Sequence, residues 1–264
     1  MSRTRPIVLS LSGHDPTGGA GIQADIETIA RFGCHPCTVV TALTVQDTRN
    51  VRRVLPQPPE DFLEQARALL ADLPVAAFKI GLLGSVGIVR AVEELLAETA
   101  GVPVVLDPIL AAGGGRNLAG SGLIAEIKAR LIPRAALITP NTPEARTLSG
   151  MANPDECAAA LLALGCPNVL LTGTHEDGPD VVNRWYRAGG VRPTRWPRLS
   201  GSYHGSCCTL ASAVAAGLAR GDGMERAVAE AQRFTWEALN RGWQPGQGQL
   251  LPDRSPSESL QPPT

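Results

Sequence analysis

The chain has 264 residues, of which 44% are hydrophobic, and its formal net charge is -1. That length and apolar content are enough for one large α/β domain or two small ones. The balanced charge argues against a nucleic acid or an anionic membrane as partner, and no apolar stretch is long enough to cross a membrane.

Cysteine usage and the two chain ends bear on location and domain boundaries. Six cysteines are a low density for this length and do not suggest a disulfide scaffold. The first apolar run, residues 7–11, is too short for the core of a signal peptide. We therefore expect a cytoplasmic protein with reduced thiols and one domain over residues 1–243. Pro, Gly, Gln and Ser dominate residues 244–264, and this composition predicts a disordered tail.

Strand-length apolar runs alternate with helical patterns along the chain. The predicted strands are residues 6–12, 38–45, 76–81, 102–106, 136–139 and 168–171, followed by a hairpin of residues 181–186 and 191–196. The predicted helices are residues 22–32, 59–70 and 86–100, a helix that begins at Ser206, and residues 224–240. This alternation is typical of an α/β protein with a mostly parallel sheet, to which the hairpin adds an antiparallel edge.

Polar residues near the first two predicted strands are candidates for ligand binding. Residues 13–21 form a glycine-rich loop that could let the backbone approach a ligand closely, although such loops more often record tight packing. Asp25 falls in the first turns of the following helix, where it either faces a pocket or only interacts with the helix dipole. Gln46 ends the second strand, where an amide can bind a heterocycle through a donor and an acceptor, or can be an ordinary loop residue.

Two carboxylates follow later strands. Asp107 stands at a strand end before a proline, and Glu144 lies in a proline-flanked turn that also contains Asn141. Two carboxylates completed by water and phosphate oxygens suit Mg²⁺, so these residues predict a magnesium and phosphate site. The alternatives are a capped turn at Asp107 and a capped helix start at Glu144.

Residues 201–220 join glycine and polar residues to a helix of small apolar side chains. Ser206 is the predicted N-cap, and the backbone N–H groups of the first turn would favour a phosphate or an oxyanion. Cys208 falls in that turn, where the dipole could lower the pKa of its thiol and make it a proton acceptor near neutral pH. The alternative is a packed helix whose cysteines are inert.

Lys79 and Lys128, the two lysines of the chain, lie outside any Walker-type loop, so a phosphate must be held in another way.

Five motifs in this order resemble those of the ribokinase-like family, specifically its hydroxymethylpyrimidine/phosphomethylpyrimidine kinases. The motifs are GHDPTGGAGIQAD (13–25), KIGLL (79–83), LDP (106–108), ITPNTPE (138–144) and HGSCCTL (204–210). The resemblance implies a three-layer α/β/α sandwich and a homodimer. It also implies ATP- and Mg²⁺-dependent phosphorylation of 4-amino-5-hydroxymethyl-2-methylpyrimidine and then of its monophosphate.

The resemblance also implies roles for individual residues. Asp25 and Gln46 would bind the pyrimidine, in a pocket lined by Gly13, Leu82 and Ile109. Asp107 and Glu144 would hold the metal, and the nucleotide phosphates would meet Asn141, Glu144, Thr172 and Thr174. The backbone amides of Gly205, Ser206, Cys207 and Cys208 would form an anion hole, with Cys208 at the catalytic position.

Two departures from the family pattern leave alternatives open. Cys207 replaces a glycine of the anion hole, and Thr172 stands where the family has a lysine. A pyridoxal kinase of the same family is one alternative, although such enzymes commonly carry Asp at the position of Cys208. A non-catalytic protein that senses a pyrimidine is the other.

Overall fold

The structure, a computed structural model, describes residues 5–255. Within that range nine strands form one sheet in the order β3-β2-β1-β4-β5-β6-β7-β8-β9. The strands are β1 (Ile7–His14), β2 (His35–Gln46), β3 (Val51–Pro56), β4 (Val75–Ile80), β5 (Val104–Leu106), β6 (Leu137–Ile138), β7 (Asn168–Leu171), β8 (Asp180–Arg187) and β9 (Gly190–Pro197). Neighbours from β2 to β7 pair in parallel, whereas β3 and the β8–β9 hairpin add antiparallel pairs at the two edges.

Helices cover both faces of the sheet. They are α1 (Gly21–Arg31), α2 (Pro59–Asp72), α3 (Val86–Glu98), α4 (Ser121–Glu126), α5 (Thr142–Ser149), α6 (Pro154–Ala163), α7 (Ser206–Ala219) and α8 (Met224–Asn240). α1, α7 and α8 pack on one face, and α2 to α6 pack on the other. The predicted three-layer α/β/α sandwich is confirmed.

Because helices bury both faces of the sheet, the sequences of the central strands are continuous apolar runs. Val8 packs towards α7 and α8, while its neighbour Leu9 packs towards α2 and α3, and both side chains are fully buried.

The sequence patterns did not predict β3, α4 or α6. In β3, Arg52 and Arg53 interrupt the apolar pattern, because this edge strand leaves both side chains exposed.

Residues 243–255 form a strap, named here the C-terminal strap, that packs on loops near the carboxyl ends of the strands. Trp243 and Leu251 exchange backbone hydrogen bonds of 3.0 and 2.8 Å. Leu250 donates to the carbonyl of Ser202 and accepts from the N–H of His204, each at 2.9 Å. The predicted disorder from residue 244 is therefore wrong for residues 244–255, because backbone pairing and burial of Leu251 offset the polar composition. The rest of the predicted tail lies outside the described residues.

A buried ion pair joins α1 and α7 to the sheet. The Nζ atom of Lys79 on β4 lies 2.9 Å from the carboxylate of Asp25 on α1, and both side chains are fully buried. The same carboxylate accepts hydrogen bonds from Ser10 of β1 at 2.6 Å and from Ser212 of α7 at 2.7 Å. Burial opposes the charge on Lys79, but the negative charges of Asp25 and Asp107 and the hydrogen bond to Asp25 together raise the pKa of Lys79. All four elements therefore meet at one carboxylate.

Asp25→Ala should lower the free energy of unfolding by about 3 to 5 kcal/mol, because it leaves a buried ammonium without its partner. Urea denaturation followed by circular dichroism measures the change. Replacing both charges, with Asp25→Leu and Lys79→Met together, should recover part of the loss. Glu64→Ala, at an exposed carboxylate of α2, is the control. An unchanged denaturation midpoint in Asp25→Ala would show that the ion pair does not support the fold.

Candidate active site

The N-terminus of α7 presents free backbone donors. The predicted N-cap, Ser206, is wrong: the N-cap is Gly205, which has a left-handed backbone with φ 84°. Thr209 makes the first backbone hydrogen bond of the helix, to the carbonyl of Gly205 at 3.0 Å. Among the described residues, the N–H groups of Ser206, Cys207 and Cys208 have no acceptor. They can bind an anion at the positive end of the helix dipole.

Two thiols lie beside these amides, and both are protonated in the free protein. Burial raises the pKa of Cys208 to about 12, although the positive charge of Lys79 acts in the opposite direction. Desolvation raises the pKa of Cys207 well above its ordinary value, and the charges of Asp107 and Glu144 add to the rise. The prediction that the dipole lowers the pKa of Cys208 is wrong, because desolvation outweighs the dipole.

Two buried carboxylates lie near the thiols. Neither oxygen of Asp107, which follows β5, has an N–H or O–H donor among residues 5–255, although the thiol of Cys208 lies close enough to lower the pKa of that carboxyl. Glu144, in the first turn of α5, accepts hydrogen bonds from the N–H of Leu110 at 3.4 Å and of Asn141 at 3.0 Å. Burial raises the pKa of Asp107 to about 6, against the opposing charge of Lys79. Burial and the charge of Asp107 raise the pKa of Glu144 to about 8. The two carboxylates thus share a buried region of excess negative charge.

Asn141, Glu144 and Thr172 lie together at the ends of β6 and β7. The Asn141 side chain accepts from the N–H of Glu144 at 2.9 Å, which completes a capping box with the reciprocal bond from the Asn141 N–H. Thr172 is buried and donates its N–H to the carbonyl of Pro140 at 2.9 Å. Thr174 is exposed on the adjoining loop. The capped helix start that was the alternative explanation for Glu144 is therefore present in the structure. Glu144 also lies close enough to Asp107 for their charges to interact.

Four other predicted ligand-binding residues lie at or just beyond the carboxyl ends of β1, β2, β4 and β5. Gly13 packs so closely on Leu82 that a Cβ atom at residue 13 would lie 2.9 Å from the Leu82 side chain. Gln46 donates to the hydroxyl of Thr44 at 2.6 Å. Its amide keeps a free carbonyl oxygen, because that bond uses only the Nε2 atom. Ile109 is half-buried beyond β5.

Asp25 lies in the interior of the protein and not on the wall of an open pocket. Its side chain is fully buried, and its two oxygens accept from Ser10, Lys79 and Ser212. The expectation that this carboxylate faces an open pocket is wrong, because the first turns of α1 press that side of the helix onto the sheet. Lys79 was recognised in a motif but was given no role there. A lone lysine in an apolar run does not reveal its partner, which lies 54 residues away in the sequence.

Asp15 and His204 join the glycine-rich loop to the segment before α7. Asp15 is buried and accepts from the N–H groups of Thr17 at 2.8 Å and Ala20 at 2.9 Å. His204 places its Nε2 atom 2.8 Å from the same carboxylate. Burial opposes the charge of Asp15, but His204 and the loop donors hold the pKa of Asp15 below its ordinary value. Both residues stand in motifs that the sequence showed, yet only the fold brings the motifs together.

Arg254 of the C-terminal strap also reaches this junction. Its side chain is buried and donates to Thr209 of α7, to Glu27 of α1 and to the carbonyl of Gly19. Sequence reasoning missed it because it stands in the predicted tail.

In the described part of the chain, every helix is too short or too polar to span a membrane.

Comparison with known proteins identifies the family. A family model described as phosphomethylpyrimidine kinase matches residues 15–253. The chain is 39% identical over 251 residues to the hydroxymethylpyrimidine/phosphomethylpyrimidine kinase of Streptomyces coelicolor, and the match covers 93% of each. It is 40% identical over 250 residues to the thiamine biosynthesis bifunctional protein ThiED of Geobacter sulfurreducens, covering 92% of this chain and 51% of that longer protein.

A solved structure shows the same fold. Pyridoxal kinase from Bacillus subtilis, in an ADP complex, matches with a TM-score of 0.89 and 27% identity, covering 95% of this chain and 97% of that one. The sequence matches are closer than this structural match, and the family model spans nearly the whole of the described chain. The chain belongs to the phosphomethylpyrimidine kinase family.

Proposed function

We propose that the chain transfers the γ-phosphoryl group of ATP to the hydroxyl of 4-amino-5-hydroxymethyl-2-methylpyrimidine, and then phosphorylates the monophosphate to the diphosphate. The observation that carries the proposal is the row of free N–H groups from Ser206 to Cys208 beside the buried Asp107 and Glu144. Phosphoryl transfer depends chiefly on positioning and on stabilising negative charge, which backbone donors at a helix N-terminus supply.

The choice of substrate rests on the relatives. The Streptomyces coelicolor protein is named for both pyrimidine substrates and is 39% identical to this chain. The Bacillus subtilis pyridoxal kinase is 27% identical. That relative is a pyridoxal kinase with the same fold, so pyridoxal phosphorylation is the second candidate. The name of the Geobacter sulfurreducens relative supports thiamine biosynthesis as the pathway.

The adenine nucleotide belongs at the ends of β6 and β7. In this proposal Asn141, Glu144, Thr172 and Thr174 bind its phosphates, and the ADP complex of the Bacillus subtilis relative supports an adenine nucleotide on this fold. Thr172 contributes its hydroxyl where a lysine would contribute charge, so the backbone donors of α7 carry more of the phosphate binding.

Magnesium fits the carboxylate pair. Asp107 has two buried oxygens without an N–H or O–H donor, and its charge adds to burial in raising the pKa of Glu144. A divalent cation would relieve both conditions, and oxygen ligands are those that Mg²⁺ prefers. When bound, the ion would neutralise charge on the phosphates. No group of three or more His, Cys, Asp or Glu side chains among residues 5–255 is arranged to hold a metal, so phosphate and water oxygens would complete the shell.

At the acceptor end, Gln46 binds the pyrimidine through its free amide oxygen, and Gly13, Leu82 and Ile109 form the walls of the pocket. Cys208 takes the proton from the attacking hydroxyl as the phosphoryl group is transferred. The thiol must first lose its own proton, which its raised pKa opposes and the charge of Lys79 favours. A non-catalytic pyrimidine sensor would not need two buried carboxylates beside free backbone amides. The homodimer and the cytoplasmic location stay predictions.

Purified protein with ATP, MgCl₂ and hydroxymethylpyrimidine should yield the monophosphate and then the diphosphate, followed by mass spectrometry. Pyridoxal is the parallel substrate. Phosphorylation of pyridoxal alone would overturn the pyrimidine assignment, and pyrimidine binding without any product would favour the sensor.

Magnesium affinity should rise with pH. Glu144 has a pKa of about 8 in the free protein, so a cation must displace its proton, and affinity should rise by up to about tenfold per pH unit between about pH 6 and 8. Calorimetric titration of MgCl₂ into the ADP-saturated protein measures this, and buffers of different ionisation enthalpy count the released proton. Glu144→Gln should weaken binding and remove the pH dependence, whereas Glu156→Gln, at an exposed residue of α6, should do neither. Wild-type affinity that is flat across this range would contradict the assignment.

Cys208→Ala should lower kcat by about 10²- to 10⁴-fold with little change in pyrimidine affinity, because it removes the proton acceptor. Cys207→Gly is the matched variant and should retain most of the rate, since it keeps the backbone amide. For the wild type, a thiol with a pKa of about 12 predicts that kcat/KM rises about tenfold per pH unit from about pH 7 to 9. If kcat/KM of the wild type reached a plateau above about pH 6 and Cys208→Ala had only a mild effect, the proton acceptor would be Asp107 and not Cys208.

A further inference from the structure

The glycine-rich loop and the N-terminus of α7 meet without any free space. A Cβ atom at Gly205 would lie 1.9 Å from the carbonyl oxygen of Gly19, and a Cβ atom at Gly19 would lie 2.4 Å from the Leu251 side chain. A side chain at Gly205 would require the backbone of the loop to move, and one at Gly19 would require the side chains of Leu251 and His204 to move. The direction of the free N–H groups that follow Gly205 therefore depends on where the loop holds Gly19.

One guanidinium group sets that position. Arg254 is 4% exposed, and its Nε atom donates to the Thr209 hydroxyl at 2.8 Å. Its Nη2 atom donates to the Gly19 carbonyl, and its Nη1 atom donates to Glu27 at 3.0 Å. The Thr209 hydroxyl in turn donates to the carbonyl of Gly205 at 2.8 Å. Arg254 thus bridges the glycine-rich loop, α1 and the first turn of α7.

The C-terminal strap that carries Arg254 also reaches the acceptor end of the site. Gln249 donates its N–H to the carbonyl of Thr48 at 2.8 Å, two residues beyond Gln46. Gly248 packs so closely there that a Cβ atom would lie 2.0 Å from the same carbonyl. The strap is therefore pinned at both ends of the site, and Arg254 is its buried end.

We propose that Arg254 is a positioning residue for phosphoryl transfer, which holds Gly19 and Thr209 so that the N–H groups of Ser206 to Cys208 point at the transferred group. The inference rests on the proposed kinase function. Preorganised donors act mainly on the transition state, so displacing them lowers kcat more than it weakens ground-state binding. A planar guanidinium can bridge several acceptors at once, which an ammonium cannot do with the same geometry.

Steady-state kinetics of Arg254→Ala tests the proposal. We expect kcat to fall by about 10- to 100-fold, with KM for ATP and for the alcohol substrate changing by less than about threefold. Arg254→Lys should recover part of the rate. Arg241→Ala is the matched control, because Arg241 lies at the base of the strap and, within residues 5–255, its side chain forms polar contacts only with Asp253. Its kcat should stay within about twofold of wild type.

A second variant distinguishes a specific loss of positioning from a general loss of folding. Thr209→Val removes one acceptor of Arg254 and keeps both the charge and the side-chain shape, and its kcat should also fall. The losses in Thr209→Val and Arg254→Ala should not add in the double variant, because both act through the same contact. Thermal melts of all variants identify any that fail to fold.

An unchanged kcat in folded Arg254→Ala, or an equal loss in Arg241→Ala, would overturn the proposal. All rates are measured with whichever alcohol, the pyrimidine or pyridoxal, the wild type phosphorylates. Turnover of pyridoxal alone would contradict the pyrimidine assignment and leave the test of Arg254 intact. A wild type inactive with both alcohols would overturn both proposals.

Discussion

The site depends on the buried contact between Lys79 and Asp25. Asp25 comes from α1, which follows the glycine-rich loop, and its carboxylate also accepts from Ser212 of α7, which supplies the free amides. Both helices are thereby held on the sheet at the end where the strands terminate. Space is tight as well, since a Cβ atom at Gly81 would lie 2.7 Å from the Nζ atom of Lys79. Such a pair stabilises the fold only as long as both charges are present, because either one alone is costly to bury.

The same ammonium acts on the chemistry of the site. Its positive charge opposes the effect of burial on the pKa of both Asp107 and Cys208. It does not neutralise the region, because Asp25 already pairs with it. Burial and the charge of Asp107 raise the pKa of Glu144 to about 8. Without ligands the site holds protons in place of cations. In the proposed function, a metal ion would displace these protons when it binds together with the nucleotide.

Local patterns predicted much of the architecture. The strand over Asn168–Leu171 and the helix over Met224–Asn240 have the predicted bounds, because unbroken apolar runs and helical periodicity define them. Asp107 and Glu144 were identified as a pair since residues after parallel strands gather at one edge of the sheet. The patterns failed where the environment is not local. Cys208 lies in the predicted first turn of a helix, yet burial raises its pKa where the dipole alone would lower it.

The sequence by itself determined most of the strands and helices, with β3, α4 and α6 as exceptions, together with the kinase motifs and the family, because periodicity and motif spacing are properties of neighbouring residues. Only the tertiary structure decided which charged groups are buried and what they contact. Asp25 became part of the interior through a partner 54 residues away, and Arg254 reaches Gly19 across 235 residues. Hydrogen bonds and desolvation at such separations depend on how layers pack, and composition could not distinguish this strap from a disordered tail.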